Sequence, residues 1–331
     1  MKDSIIVPNG DSTIWDRDRV IADLITAIIQ RHPFSISLNS EGPCAETLGL
    51  YSLLDSLCGK YQFQPEMITI YTCNQLEKHD RYLIKKIPPF KGISDLQKNQ
   101  SSILDKKITS NTKHFSNFVS RGNRMRLVIA SELYFHHQIK TLQSYHTDVK
   151  NGYFSHHIGL EEVMFHDYES DTVDRCYKFL KKTPMKVDNV ESYPIFYHDG
   201  KVYDIMPLYQ QVFVDIINLA YFSGNTFYVD EKIWRPMLTK TPFIVQGPSN
   251  FLENFRRLGF QTFDRWWDEG YSEDPPDYQV RLIIENIKMI STWDTQKLST
   301  VYAEMKSTLD HNYAVFMSLN ESVFRKAFDY S

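Results

Sequence analysis

The run YVDEKIWRPM, residues 228–237, gathers Asp230, Glu231, Lys232 and Arg235 immediately ahead of the apolar stretch TPFIVQG. A helix that starts near Asp230 offers unpaired backbone N–H groups and a partial positive charge, to which Lys232 and Arg235 add two full charges, so a phosphate is favoured there. Glu231 would repel a phosphate and must face a neutral part of any ligand. A ribose diol suits it, since one carboxylate can accept from both hydroxyls. With Tyr228 beside them, these residue types in this order point to a nucleoside diphosphate. The competing reading is a solvated helix start in which Asp230 is the cap.

Such a site needs a parallel sheet, because ligands of open α/β sheets sit beyond the carboxyl ends of the strands, where helix N-termini converge. The spacing supplies one. Residues 16–32 have helical periodicity, 35–39 read as a strand, 44–61 as a helix and 67–74 as a second strand, an alternation that implies crossover helices over a parallel sheet. Residues 87–113, headed by Pro88-Pro89 and rich in Lys, Ser, Asn and Gln, read as a linker. A second α/β unit follows: a strand from 114, a helix over 124–136, short helices near 159–166 and 171–182, a buried strand over 212–222, a short helix from Glu231, a strand over 242–247 and a helix over 248–259 stopped by Gly259. Two further helices, 277–292 and 296–317, close the chain. The expected class is α/β with two Rossmann-like domains, residues 1–112 and 113–331, and C-terminal helices.

At 331 residues the chain can bury two cores, and 42% hydrophobic with 24% charged residues excludes a disordered or fibrous protein. No window approaches the ~20 apolar residues of a membrane span and no signal peptide is evident, so a cytoplasmic location is expected. Cys44, Cys58, Cys73 and Cys176 form no CxxC pair and read as reduced, buried thiols. The net charge of −4 argues against a general nucleic-acid binder, yet Arg81 to Arg126 holds eleven Lys or Arg against two Asp.

Tyr228-Val229-Asp230-Glu231-Lys232-Ile233-Trp234, followed after a short helix by TPFIVQG, resembles the α1,3-fucosyltransferase motif. KHFSNFVSRGNRMRLVIASEL (113–133) is similar to the second hallmark of those enzymes, a strand ending at Ser-Asn before an Arg at the head of a helix. The chain also resembles glycosyltransferase-like proteins of phages and large viruses that carry EKxxRP and then GFxTFDxxxDExY, here Gly259 to Tyr271. The resemblance implies a two-Rossmann (GT-B) nucleotide-sugar-dependent glycosyltransferase, its donor UDP- or GDP-linked and no other cofactor needed. It implies that Arg126 contacts the donor phosphates, Lys232 the pyrophosphate, Glu231 the ribose and Tyr228 the base or sugar; Arg121, Asn225 and Arg235, the last part of an Arg-Pro that the fucosyltransferases lack, are expected on the donor side as well. Tyr221-Phe222-Ser223-Gly224-Asn225 stands where the fucosyltransferases have Phe-Glu-Asn-Ser, so neither fucose nor guanine carries over.

An inverting transfer needs a base for the acceptor hydroxyl, which enzymes of this build take from the N-terminal domain. Glu41, in the loop NSEGP after the strand 35–39, is the candidate, with Glu77 and Asp80 behind it. Asp16-Arg17-Asp18 has metal-binding Asp-x-Asp spacing but directly precedes a helix, so capping is its expected role and a metal-independent reaction is expected. His136-His137 and His156-His157 lack ligand-spaced partners, and Trp266-Trp267 reads as a buried hinge or a stacking platform. The basic segment, together with the phage resemblance, suggests DNA with hydroxymethylated bases as acceptor, extruded to reach the cleft. A polysaccharide or lipid-linked glycan is the alternative. Two other classes stay open: a non-catalytic nucleotide or nucleic-acid binder on the same fold, and a phosphoryl transferase, against which stands the absence of GxxxxGK[ST].

Overall fold

The computed structural model describes residues 4–7, 17–38, 42–88, 93, 94, 97, 98, 106–119, 122–145, 156–166, 168–185, 187, 206–219 and 221–330. The first sheet runs β1 (Ser4–Val7), β2 (Phe34–Leu38), β3 (Ile68–Thr72) and β4 (Leu83–Lys86), all parallel and in chain order. Helix α1 (Arg17–Gln30) turns Val20, Leu24 and Ile28 inward at four-residue spacing, and α2 (Leu50–Tyr61) adds Leu50, Leu54 and Leu57. These side chains close over Ile36 and Ile70, register partners on β2 and β3.

The second sheet holds β5 (Lys113–Val119), β6 (Thr141–Tyr145), β7 (Val212–Asn218) and β8 (Phe243–Gln246) in the parallel order β6-β5-β7-β8. Every residue of β7 is buried, as a central strand covered on both faces requires. Around it lie α3 (Arg124–His137), α4 (His156–Phe165), α5 (Ser170–Leu180), α6 (Met206–Tyr209), α7 (Glu231–Thr239), α8 (Phe251–Arg257), α9 (Pro276–Ser291), α10 (Thr295–Ser318) and α11 (Glu321–Phe328). The protein is therefore α/β, with two parallel-sheet, Rossmann-like domains and C-terminal helices. Relative to the sequence expectation, β1, β4 and β6 are additional strands, α2 begins at Leu50 after a series of turns, and α11 is a third closing helix.

Among the described residues, two segments of the second domain reach the first. The β7–α7 loop reaches the first domain, where Thr226 donates its hydroxyl to the Gly42 carbonyl (2.6 Å), Phe227 N–H to Asn74 Oδ1 (3.0 Å) and Asn74 Nδ2 to the Asn225 carbonyl (3.0 Å). Gly42 is required there: its φ is +66° and a Cβ would lie 2.8 Å from the Asn74 amide nitrogen. The second segment is α11, whose end returns to the first domain; Lys86 Nζ donates to the Phe328 carbonyl (2.9 Å) and Tyr330 meets Gln75 through its hydroxyl.

Candidate functional site

Strand order locates the site. The first sheet runs in strict sequence and has no point at which the winding reverses, whereas in the second the chain passes from β5 to β6 on one side and then to β7 on the other. The reversal between β5 and β7 is a topological switch point, where the loops beyond the carboxyl ends diverge and leave a crevice. Polar side chains inside the apolar strands collect there. Asn117 of β5 donates to the Ile216 carbonyl (2.9 Å) but leaves its own amide oxygen unpaired. Asn218 and Gln246, register partners at the carboxyl ends of β7 and β8, have both side-chain amide atoms buried and unpaired. Burying an amide without partners costs free energy, so three such groups together mark a place built to be filled by polar matter.

Arg126 belongs to this cluster. It lies in the first turn of α3, which Asn123 caps by accepting from the Arg126 N–H (2.9 Å), and it is 3% exposed, its guanidinium donating to the Asn218 carbonyl (3.2 Å). Arg124, two residues earlier, is held differently. It binds Asp277 through two nitrogens (3.1 and 3.3 Å) and lies over the Phe222 ring, while Tyr168 donates to the same carboxylate. Burial alone would raise the Asp277 carboxyl, but the bonds and charge of Arg124 prevail and hold it below its ordinary value.

The β7–α7 loop brings the charged run to the same edge. Asp230 caps α7 by accepting from the Lys232 N–H (3.0 Å) and also binds Lys232 Nζ (2.7 Å), so the capping role and a fixed lysine coexist. Lys232 is thereby held at the N-terminus of α7, with Tyr228 half-buried and Asn225 exposed in the loop leading to it. Glu231 is the first residue of α7; its side chain, like Arg121 and Glu41, lies outside the described residues.

Arg235 is placed apart from this edge. It is 4% exposed and bonds Tyr209, which donates to Asp215 (2.9 Å), a carboxylate that also accepts from Ser116 (2.6 Å). Lys106, fully enclosed, donates to Thr241 (3.1 Å) close enough to feel Asp215. Burial pushes Asp215 up to about 6 and Lys106 down to about 7.

Of the candidate bases, Glu77 accepts from the Ala45 N–H, Tyr51 and Asn74, a strut that fixes the first-domain loops; burial raises its carboxyl against those three donors. Asp80 is exposed. Arg17 and Asp18 open α1, with Asp16 outside the described residues. Both His136 and His137 rings approach Glu132 at 4.0 Å, the His156 and His157 side chains are not described, Trp266 donates to Glu304 and Trp267 is buried against Phe263. Among the described residues no group of three His, Cys, Asp or Glu is set to hold a metal, and no helix is long and apolar enough to cross a membrane.

The basic segment does not form a surface stripe across the described residues. Arg81 pairs with Asp55, Arg124 with Asp277, Lys113 donates to the Ile139 carbonyl, and Lys106 and Arg126 are interior; only some, such as Lys85 and Lys107, are exposed. Of the nine described cations in the segment, Arg81, Lys85, Lys98 and Lys107 are exposed, Lys86, Lys113 and Arg124 are half-buried, and Lys106 and Arg126 are buried.

Asn117, Asn218 and Gln246 were not singled out from sequence, although each is a polar residue within an apolar strand, and that was the available signal. No protein-family model matches the chain. No curated protein matches it. Among solved structures it is similar to one described as "Crystal Structure of alpha1,3-Fucosyltransferase", at 10% identity and a TM-score of 0.32, covering 97% of this chain and 91% of that one. A superposition that loose carries no weight for fold or chemistry.

Proposed function

We propose that the protein is a nucleotide-sugar-dependent glycosyltransferase that binds its donor in the switch-point crevice of the second sheet. The observation that carries this reading is the set of unpaired, buried amides of Asn117, Asn218 and Gln246 beside Arg126. An amide with donor and acceptor both unmet is complementary to groups that offer both, such as sugar hydroxyls or the edge of a nucleobase. Arg126 and Lys232 supply the positive charge that a diphosphate needs, and Lys232 stands where the N–H groups of α7 point outward. Glu231 takes the ribose and Tyr228 the base or sugar.

In the reaction the acceptor hydroxyl oxygen bonds to the anomeric carbon, the bond from that carbon to the diphosphate breaks, and the diphosphate leaves with the electron pair. Arg126 and Lys232 stabilise the charge that develops on it. Glu41 takes the hydroxyl proton, giving inversion without a metal. The choice of Glu41 is supported by the next residue, Gly42, whose carbonyl is held by Thr226 of the β7–α7 loop.

The test is a thermal-shift panel of UDP- and GDP-sugars followed by hydrolysis assays without acceptor. A ligand at 100 times its dissociation constant stabilises by about 2.7 kcal/mol, a readily measured shift. Slow release of free sugar from the stabilising donor is expected. Stabilisation without release would identify a non-catalytic binder, and no stabilisation by any nucleotide sugar would end the proposal.

A further inference from the structure

A second cavity, of about 530 Å³, lies at the carboxyl ends of β3 and β4 in the first domain and is closed on one side by residues at and beyond the end of α11. Its size falls within the roughly 300–1,000 Å³ of small-molecule sites. Lys78, Lys85, Lys86 and Arg325 line it against the carboxylates of Glu77 and Asp329. Arg325 is paired with Glu321 outside the lining, and the buried Glu77 is held by three neutral donors, which leaves Lys78, Lys85 and Lys86 facing Asp329. Among the described residues neither Lys78 nor Lys85 has a carboxylate partner; Lys85 lies over the Tyr71 ring at 5.7 Å. Lys86 is half-buried, and its ammonium is pushed below its ordinary pKa by burial first and by the neighbouring charge of Lys78 second. Lys78 lies close enough to Lys86 to repel it, and Lys85, leaving the other face of β4, adds a third positive charge to the lining, so an anion bound there would be favoured.

The walls add a second kind of chemistry. Tyr71, Tyr82 and His79 are among the lining residues, and His79 is fixed over Tyr51 with ring centroids 4.1 Å apart. The Arg81 N–H donates to His79 Nδ1 (3.1 Å), which leaves Nε2 as the protonated nitrogen of the neutral ring and hence a donor toward a ligand. Flat apolar faces beside cationic donors fit a sugar ring that carries a phosphate.

We propose that this cavity binds a phosphorylated saccharide, which on the glycosyltransferase reading above is the acceptor. It lies at the carboxyl ends of β3 and β4, and the loop that follows β3 carries Asn74, which accepts from the Phe227 N–H of the β7–α7 loop. A neutral glycan would leave Lys78 and Lys85 unanswered.

Calorimetric titration of the full chain at low salt tests this, using glucose 6-phosphate, glucose, inorganic phosphate and a short duplex DNA as probes, on the wild type and on the Lys78→Ala, Lys85→Ala double variant. Both substituted lysines are exposed, so the fold should tolerate the change. Glucose 6-phosphate is expected to bind more tightly than either glucose or phosphate, and the double variant to lose on the order of tenfold in that affinity while its stabilisation by nucleotide sugar stays as in the wild type. Equal affinity for glucose and glucose 6-phosphate, an unchanged double variant, or lysine-dependent binding of duplex DNA in place of the sugar phosphate would each overturn the assignment. Loss of the nucleotide-sugar shift in the double variant would also overturn it, by moving the lysines to the donor site. If the wild type binds glucose 6-phosphate through these lysines but no nucleotide sugar, the cavity stands and the transferase reading falls.

Discussion

At the residue scale the proposed donor site sets two demands against each other, and Asn218 shows both. Its unpaired amide costs the ligand-free protein stability and serves only when a ligand is bound. Replacing a buried unpaired polar group by an apolar one of similar shape is neutral or stabilising, so Asn218→Leu should raise the ligand-free stability by about 1 kcal/mol and abolish stabilisation by nucleotide sugar. Urea titration with and without donor measures both; a destabilised variant would mean that the amide supports the fold. Lys232 makes the complementary prediction. Lys232→Ala should leave the fold intact, since Asp230 still caps α7, and should lower turnover by about 10² to 10³ through lost charge stabilisation of the leaving diphosphate. Unchanged turnover would remove Lys232 from the mechanism. Asp230 and Lys232 could be read from sequence because charge and helix-start chemistry are local, whereas Arg126 came from the resemblance of residues 113–133 to the fucosyltransferase hallmark. Asn117, Asn218 and Gln246 could not, because their meaning comes from lying side by side on three strands whose order the sequence does not state. Arg235, drawn from the same charged run as Lys232, turns inward to Tyr209, a difference of side-chain direction that spacing alone does not resolve.

At the scale of elements, the long closing helices are legible through apolar positions that recur over many residues, and the fully buried strand β7 through its continuous apolar run. The strands β1, β4 and β6 were missed for a physical reason: two are four-residue edge strands and β6 is polar, so none displays a pattern that sets it apart from a loop. The helix α11 escaped because it is eight residues long and is held by packing rather than by propensity. The enclosure of Lys106 was also invisible, since its segment reads as a polar linker. That enclosure has a pH signature. Burial lowers the folded-state pKa of Lys106 to about 7 while the unfolded chain keeps an ordinary lysine value near 10.4, so between those limits the unfolded state binds more protons and stability rises with pH. Asp215 acts in the opposite sense at lower pH: raised to about 6 by burial, it makes stability fall as pH climbs from about 4 to 6. Denaturation of the wild type and Lys106→Met from pH 7 to 10 should show the wild type gaining relative to the variant, and a pH-independent difference would mean that Lys106 keeps its proton in the folded state and that burial does not lower its pKa.

At the scale of the whole molecule, α11 ties the second domain back to the first. Phe328 is buried against Phe227 in the donor-side loop and beneath the Arg257 guanidinium, while its carbonyl accepts from Lys86 on β4. Phe328→Ala should cost about 3–5 kcal/mol. Hydrogen exchange should then quicken in the β3–β4 pair more than in β7–β8, and uniform loss of protection would show that α11 supports the molecule generally instead of acting as a clasp on the first domain. The same clasp has a consequence for synthesis. Gln75 and its partner Tyr330 are separated by 255 positions along the chain. At the ~5–20 residues per second of translation, roughly 10 to 50 s pass between the emergence of the two. For that interval the nascent first domain presents its lysines and tyrosines with one wall of the cavity missing, so a phosphorylated metabolite or a chaperone could reach them before the chain closes over its own pocket.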